Sequence, residues 1–534
     1  MRDSEKNYLW WQKEVIYQIY PRSFKDSNGD GIGDLQGIIE KLDYLKELGV
    51  GAIWISPFFP SPMADFGYDV SDYCGIHPIF GKMDDFDRLL KEIHERGLKL
   101  ILDFVPNHTS EEHDWFKESR SSRNNAKRDW YIWKDPGPDG GPPNNWVSEF
   151  GGNAWQYDET TEQYYYHTFL KEQPDLNWRN PEVQEAMFDA MRFWLDKGVD
   201  GYRVDVMWHM IKDDRFRNNP ENPDYKEHMS PYRKLIPAYS SDQPEVHDIV
   251  EKMRDVTNEY EERVLIGEIY LPIDRLVTYY GHENGGAHLP FNFQLIVLPW
   301  EADKINAAIS EYEASLPKGG WPNWVLGNHD KSRILSRVGK NQARVASMLL
   351  LTLRGTPTMY YGDEIGMEDV EIPPDEVKDP HEKNVPGKGL GRDPERTPMQ
   401  WDSSAKAGFT TGEPWLPISK SAASVNVEKE KQREESIYNL YKRLLQKRKE
   451  EPALHVGEYI PLKASGNLIA FRREKNEKQF LVILNLGHDV ELYAPKEDWT
   501  GKVIIATDGE WEEKDVSGKL EILPDLGLLI ELKN

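Results

Sequence analysis

Residues 201–206 read GYRVDV, residues 264–269 VLIGEI and residues 324–330 WVLGNHD. Each is a short strand-like run ending at or just before a carboxylate: Asp205, Glu268 and Asp330. The acids lie far apart in sequence, with at least one helical pattern in each interval. Acids at the C-terminal ends of several strands in a strand–helix alternation converge on one face of a parallel barrel, the face where such barrels carry their chemistry. Two neighbouring carboxylates on that face are what retaining cleavage of a glycosidic bond requires, and a third can hold the sugar.

Outward from these runs, the alternation extends along the chain. Residues 14–24 (EVIYQIYPRSF) are strand-like, and 35–49 (LQGIIEKLDYLKELG) place apolar residues at helical spacing before Gly49. A strand at 52–59 (AIWISPFF), an amphipathic helix at 83–97 and a third strand at 98–108 (LKLILDFVPNH) follow. After a break, 180–198 reads as a helix opened by Pro181. The remaining strands are expected at DGYRVDV, RVLIGEI, LPFNFQL, NWVLGNHD and TPTMYYG. Eight such units predict an α/β fold of the (β/α)8 barrel type.

Two stretches interrupt the pattern. Residues 108–175 are rich in Trp, Tyr, Gly, Pro and Asn and read as a subdomain inserted after the third strand. Residues 367–430 are irregular, and a loop of that length inside a compact domain points to function or a lid. From about residue 456 the chain alternates apolar and polar positions, as in KQFLVILNLG, and reads as a C-terminal antiparallel β-sandwich domain. The expected organisation is therefore 1–107 with 176–455 as the barrel, 108–175 as the insertion and 456–534 as the C-terminal domain.

The net charge of −26 argues against nucleic acid or an anionic membrane as partner. Cys74 is the only cysteine, which excludes an intramolecular disulfide and fits a reducing cytoplasm. The opening MRDSEKNYLWWQKEV lacks the apolar core of a signal peptide, and no stretch approaches the ~20 apolar residues of a membrane span. A cytoplasmic location is expected, and oligomeric state stays open.

DFVPNH, GYRVDV, GEI and GNHD, in this order and at these strand ends, resemble the four signature segments of the α-amylase superfamily. QPDLNW and GTPTMYYGDEIGM resemble its auxiliary segments. WWQKEVIYQIYPRSFKDSNGDGIGDLQGI, SPMADFGYDVSDY and GRDPERTPMQWD bring the chain close to the α-glucosidase and oligo-1,6-glucosidase branch. The resemblance implies Asp205 as nucleophile, Glu268 as acid/base and Asp330 as a third acid that grips sugar hydroxyls. It implies substrate-binding roles for His108 and His329, while Arg203, sharing a strand face with Asp205, is expected to keep that carboxylate ionised. Asp103 is implied to tie Arg203 to the strand ends. Asp65 and Arg392 resemble the pair that closes the pocket around a terminal glucose, which implies exo action on short oligosaccharides. Tyr68 resembles a stacking platform, and Phe169 and Gln173 fall where the branch lines its pocket. Val206 resembles the branch's linkage-determining position; because the segment after it departs from the branch's wording, α-1,4 and α-1,6 both stay open.

Asp26-Ser27-Asn28-Gly29-Asp30-Gly31-Ile32-Gly33-Asp34 sets oxygen donors at alternating positions, but Gly37 stands where an EF-hand has its bidentate Glu. The segment resembles the branch's loop for structural Ca2+ or Mg2+, implying Asp26, Asn28, Asp30, the Ile32 carbonyl and Asp34 as ligands. Three other readings compete with hydrolysis of maltose-type substrates. A transglucosylase or sucrose isomerase would use the same acids, although the isomerases' arginine-rich signature is replaced after Asp330 by KSRILSRVGK. Trehalose or sucrose are alternative substrates. A non-catalytic transporter partner would have an anchor and no acids.

Overall fold

The computed structural model describes residues 8–533. Residues 1–7 of the opening stretch, and residue 534 at the end of the C-terminal domain, lie outside the described residues. Eight parallel strands build the central sheet: β1 (Ile16–Ile19), β2 (Ala52–Ile55), β3 (Lys99–Phe104), β4 (Gly201–Val204), β5 (Val264–Gly267), β6 (Leu289–Pro290), β7 (Asn323–Val325) and β8 (Thr356–Tyr360). Their order is β7-β8-β1-β2-β3-β4-β5-β6. Registers such as Ile101 opposite Gly201 and Tyr202 opposite Leu265 set the ends of β3, β4 and β5 side by side. Both faces of these strands are covered, so they read as nearly continuous apolar runs rather than as alternating ones.

At the seam between β6 and β7, a side chain substitutes for the ladder. Asn323 is fully buried; its Oδ1 accepts from the Asn292 N–H at 2.9 Å and its Nδ2 donates to the Pro290 carbonyl at 2.5 Å. The barrel is closed there by one amide.

The crossover helices follow the apolar spacing. Met83–Glu95 turns Phe86, Leu89, Leu90 and Ile93 inward. Pro181–Lys197 starts from Asn180, whose side chain accepts from the Glu182 N–H, and stops at Gly198 with φ +104°. Between β3 and β4, Trp133–Lys134, Gln163–Tyr166 and Trp155–Asp158 form a three-stranded antiparallel sheet around Ile132, Trp146, Trp155 and Tyr166. Its buried Asp175 meets Lys212, beyond β4, at 2.5 Å, which fixes the insertion against the barrel mouth. From Glu458 onward, a six-stranded antiparallel sheet and a two-stranded ribbon (Glu491–Tyr493 with Leu520–Ile522) share one core containing Leu481, Ile483, Tyr493 and Ile522. The architecture is a (β/α)8 barrel carrying a C-terminal antiparallel β domain. Among the described residues, no helix is long and apolar enough to cross a membrane.

Candidate active site

Asp205 follows β4 directly, Glu268 follows β5, and Asp330 lies five residues past the end of β7. All three border one cavity of about 1280 Å3 at the C-terminal end of the barrel. Arg203 joins the first two. Its Nη1 donates to Asp205 Oδ1 at 2.8 Å and its Nη2 stands 2.9 Å from Glu268 Oε2, so both carboxylates lie within the span of one guanidinium. Asp103, at the end of β3, binds the same Nη1 at 2.8 Å. Arg203 is fully buried, and its guanidinium carbon lies 4.9 Å from the centre of the Trp54 ring.

Three buried carboxylates around one cation leave an excess of negative charge. Burial and Glu268 both push the Asp205 carboxyl well above the usual carboxylate range, against the pull of Arg203. Burial likewise raises Asp103 to about 7, with Arg203 opposing. The physical consequence is that Asp205 holds its proton to higher pH than an isolated carboxyl would.

The turn after Asp205 is strained. Val206 sits at φ +37°, unusual for a β-branched residue. That conformation aims its N–H at Glu268 Oε2, 2.8 Å away, and starts the single 3-10 turn Met207–His209. Strain of this kind persists where surrounding structure enforces it, often at functional sites. Gly267 leaves room for the turn: a Cβ there would stand 2.6 Å from Met207 Sδ.

Asp330 is held by cations. Burial pushes its carboxyl up, yet His329, Arg396 and Arg392 hold it far below the ordinary range. Burial drives His329 itself well below its usual value, so at neutral pH the charges facing Asp330 are the two arginines. Arg396 Nη2 donates to Asp330 Oδ1 at 2.7 Å, and Arg392 Nη1 reaches the same atom at 3.4 Å. Arg392 Nη2 also binds Asp65 at 2.6 Å and Asp379 at 2.6 Å, so the long loop is clamped onto the barrel mouth beside Asp330.

The remaining predicted pocket residues gather at this end. Tyr68 stacks on His329 with centroids 5.3 Å apart, and its hydroxyl lies 2.6 Å from His329 Nε2. His108, kept neutral near about 4 by burial, lies 3.2 Å from Gln173 Nε2, which reaches Asp65 at 3.4 Å. Phe169 packs on His108 at 5.3 Å.

The predicted metal loop does not line this cavity and packs against residues 410–414. Asp26 accepts from the Asn28, Gly29 and Gly31 N–H groups, and Asp34 from Ser27 and Gly37. Asn28 and Asp30 accept from Asp30 and Ile32 N–H groups. A Cβ on Gly31, at φ +90°, would collide with the Glu413 carbonyl at 1.7 Å. Among the described residues, no three His, Cys, Asp or Glu side chains are gathered as around a metal. The donor set is that of a hard cation, and its carboxylates are already occupied by loop hydrogen bonds.

Several pocket residues have no counterpart in the sequence reading. Arg396 stands four residues after Arg392 in GRDPER and was legible only as part of that motif. Asp379 had no signal. The stretch between Met207 and Val246 supplies Trp208, His209, Tyr232 and Ile236 to the wall, although it lacks any periodic pattern.

A deep pocket with paired carboxylates on one arginine, closed by an ion-paired loop, defines a sugar-cleaving barrel enzyme. The family description "Alpha amylase, catalytic domain" matches residues 18–457. An oligo-1,6-glucosidase of Heyndrickxia coagulans is 40% identical over 95% of this chain and 97% of its own. A probable alpha-glucosidase of Rhizobium meliloti is 41% identical over 90% of both. Among solved structures, the alpha-glucosyl transfer enzyme XgtA superposes with a TM-score of 0.93 at 41% identity, covering 99% of this chain and 100% of that one. The chain belongs to the α-amylase family of glycoside hydrolases, in its glucosidase branch.

Proposed function

We propose that the protein is an exo-acting, retaining α-glucosidase that releases glucose from the non-reducing end of short α-gluco-oligosaccharides or disaccharides. The observation that carries this reading is the pair Asp205–Glu268 on one buried guanidinium, at the bottom of a pocket closed by Asp65, Arg392 and Asp379. A pocket closed by a clamped loop admits a chain end rather than the middle of a polymer. In the proposed reaction, Asp205 attacks the anomeric carbon while Glu268 gives its proton to the departing oxygen. Glu268 then takes a proton from water, which displaces Asp205 and restores the α configuration. Asp330, ionised between Arg392 and Arg396, accepts hydroxyls of the bound glucose, and neutral His108 and His329 contribute further hydrogen bonds.

Proton NMR of the first turnovers on p-nitrophenyl α-glucoside tests this, since maltose and isomaltose also release their own reducing-end anomers: α-glucose is expected to appear before mutarotation, and initial β-glucose would sink the mechanism. The same pair of substrates reads the linkage preference, for which the wall begins at Val206. Glucosyl transfer to a sugar instead of water is the second reading, favoured by the likeness to XgtA. It predicts larger oligosaccharides at high maltose in place of a second free glucose.

We further propose a structural Ca2+ or Mg2+ at Asp26, Asn28, Asp30, the Ile32 carbonyl and Asp34, supported by the alternating oxygen donors. A cation present at a hundred times its Kd would add about 2.7 kcal/mol of stability. Chelation is therefore expected to lower the thermal midpoint and Ca2+ to restore it; a midpoint indifferent to both would remove the site. A single unpaired Cys74 supports a reducing, cytoplasmic setting.

A further inference from the structure

Gln18 is the one amide in β1, whose other residues are Ile16, Tyr17 and Ile19, and it is fully buried. Its Nε2 lies 2.7 Å from His329 Nδ1 and 3.1 Å from Ser56 Oγ, whereas its Oε1 has no partner among the described residues. A buried carbonyl oxygen left unpaired is costly, so the side chain is placed for what its N–H groups do. Gln18 does not itself line the cavity; His329 does.

The other ring nitrogen tells which proton His329 carries. Nε2 faces the Tyr68 hydroxyl at 2.6 Å and Asp330 Oδ2 at 3.4 Å. Tyr68 has one proton to give, and its hydroxyl donates to Asp103 Oδ2 at 3.1 Å, an oxygen that also accepts from Trp54 Nε1. Toward Nε2 the hydroxyl can then only accept, so the proton between them belongs to His329, and Nδ1 is left to accept from Gln18. Ring packing does not make this choice. Tyr20 lies nearly parallel to the imidazole at 5.7 Å and Trp54 edge-on at 6.2 Å, and the two tautomers have the same shape. His108 is arranged alike: its Nδ1 meets the Asn107 amide at 3.1 Å, and Lys212 orients that amide by donating to its Oδ1 at 2.7 Å.

We propose that Gln18 is a positioning residue whose amide N–H on Nδ1 fixes His329 as the Nε2–H tautomer, so that the imidazole turns a donor toward Asp330 and the pocket. A lone pair in that position would repel the Asp330 carboxylate, whereas the N–H attracts it and can be shared with a sugar oxygen. The effect on turnover rests on the glucosidase reading above; the tautomer does not.

Protein carrying 15N in its histidines tests this by proton–nitrogen correlation NMR, with His329→Gln identifying the His329 signals by their loss. Wild type is expected to show a proton on Nε2 and none on Nδ1. In Gln18→Glu a carboxylate replaces the donor, so a proton is expected on Nδ1, and kcat/KM for p-nitrophenyl α-glucoside should fall about tenfold, the worth of one hydrogen bond. A wild-type Nδ1 proton overturns the proposal and needs no variant to fold. So does a Gln18→Glu protein whose Nδ1 stays unprotonated, or one whose proton moves while kcat/KM is unchanged. Wild-type protein that shows the Nε2 proton yet acts on no α-glucoside would instead overturn the glucosidase reading.

Discussion

Asp205→Ala is expected to lower kcat for any α-glucoside by about 10^4-fold or more while leaving the fold intact. The size follows from what the carboxylate does. Without it no covalent glucosyl-enzyme forms, and positive charge at the anomeric carbon has no anion at β4 to face. Folding should tolerate the change for an equally specific reason. Asp205 is one of three carboxylates around Arg203, and Asp103 and Glu268 remain at 2.8 and 2.9 Å. Removing one of two like charges also relieves repulsion between buried acids, so the thermal midpoint should stay or rise. Single-turnover rates on p-nitrophenyl α-glucoside alongside a melting curve decide the matter: residual turnover within about a hundredfold of wild type would remove Asp205 as nucleophile.

The parts of this site legible in the sequence share one cause. A parallel barrel strand is apolar throughout, so the first charged residue at its end is conspicuous, and Arg203 and Asp205 share a face by the two-residue period of a strand. That reasoning located β3, β4, β5 and the acids that follow β4 and β5. It also located β7, although Asp330 lies well beyond the strand and is fixed by Arg396 rather than by the sheet. The seam was illegible because β6 has two residues and its closure depends on one amide, Asn323, inside an ordinary apolar run. Asp379 and Arg392 meet in a loop without periodicity, where pairing is decided by chain path alone. Gln18 was hidden for a different reason: an amide inside an apolar strand reads as core, and only its contact with His329 Nδ1 marks it as exceptional. The metal loop shows the reverse case, a strong pattern whose oxygens turn out to be bonded within the loop.

Charge around the pocket is arranged in two contrasting halves. At the clamped end, Arg392 and Arg396 face Asp330, Asp65 and Asp379, and together they hold the Asp330 carboxyl far below the ordinary range despite its burial. Asp379, although buried, is held at about 2 by Arg392. At the Arg203 end three carboxylates share one cation, and burial together with Glu268 raises the Asp205 carboxyl well above the usual range. The molecule thus sets an acid held low by arginines apart from a carboxylate cluster that shares a single guanidinium, within one cavity.

Glu268→Gln should test the proposed proton transfer directly: in that mechanism the active form carries a proton on Glu268 and an ionised Asp205. Below the first macroscopic step both are protonated and the nucleophile is lost; above the second neither is, and the acid is lost. Wild-type kcat/KM should therefore be bell-shaped, because the acid limb needs Asp205 ionised and the alkaline limb needs Glu268 protonated. Glutamine imitates protonated Glu268 in shape and in lacking charge. The acid limb, which reports Asp205 beside a neutral neighbour, should then stay in place, while the alkaline limb should vanish. On maltose, whose leaving group needs a proton, kcat should fall by about 10^2–10^4-fold, the usual contribution of a general acid. On an aryl glucoside with an acidic phenol, the first glucosyl transfer should be largely retained, and the glucosyl-enzyme should accumulate because water has lost its base. A variant that kept the alkaline limb would place the titrating proton elsewhere, with Asp103, already raised to about 7, the next group to replace.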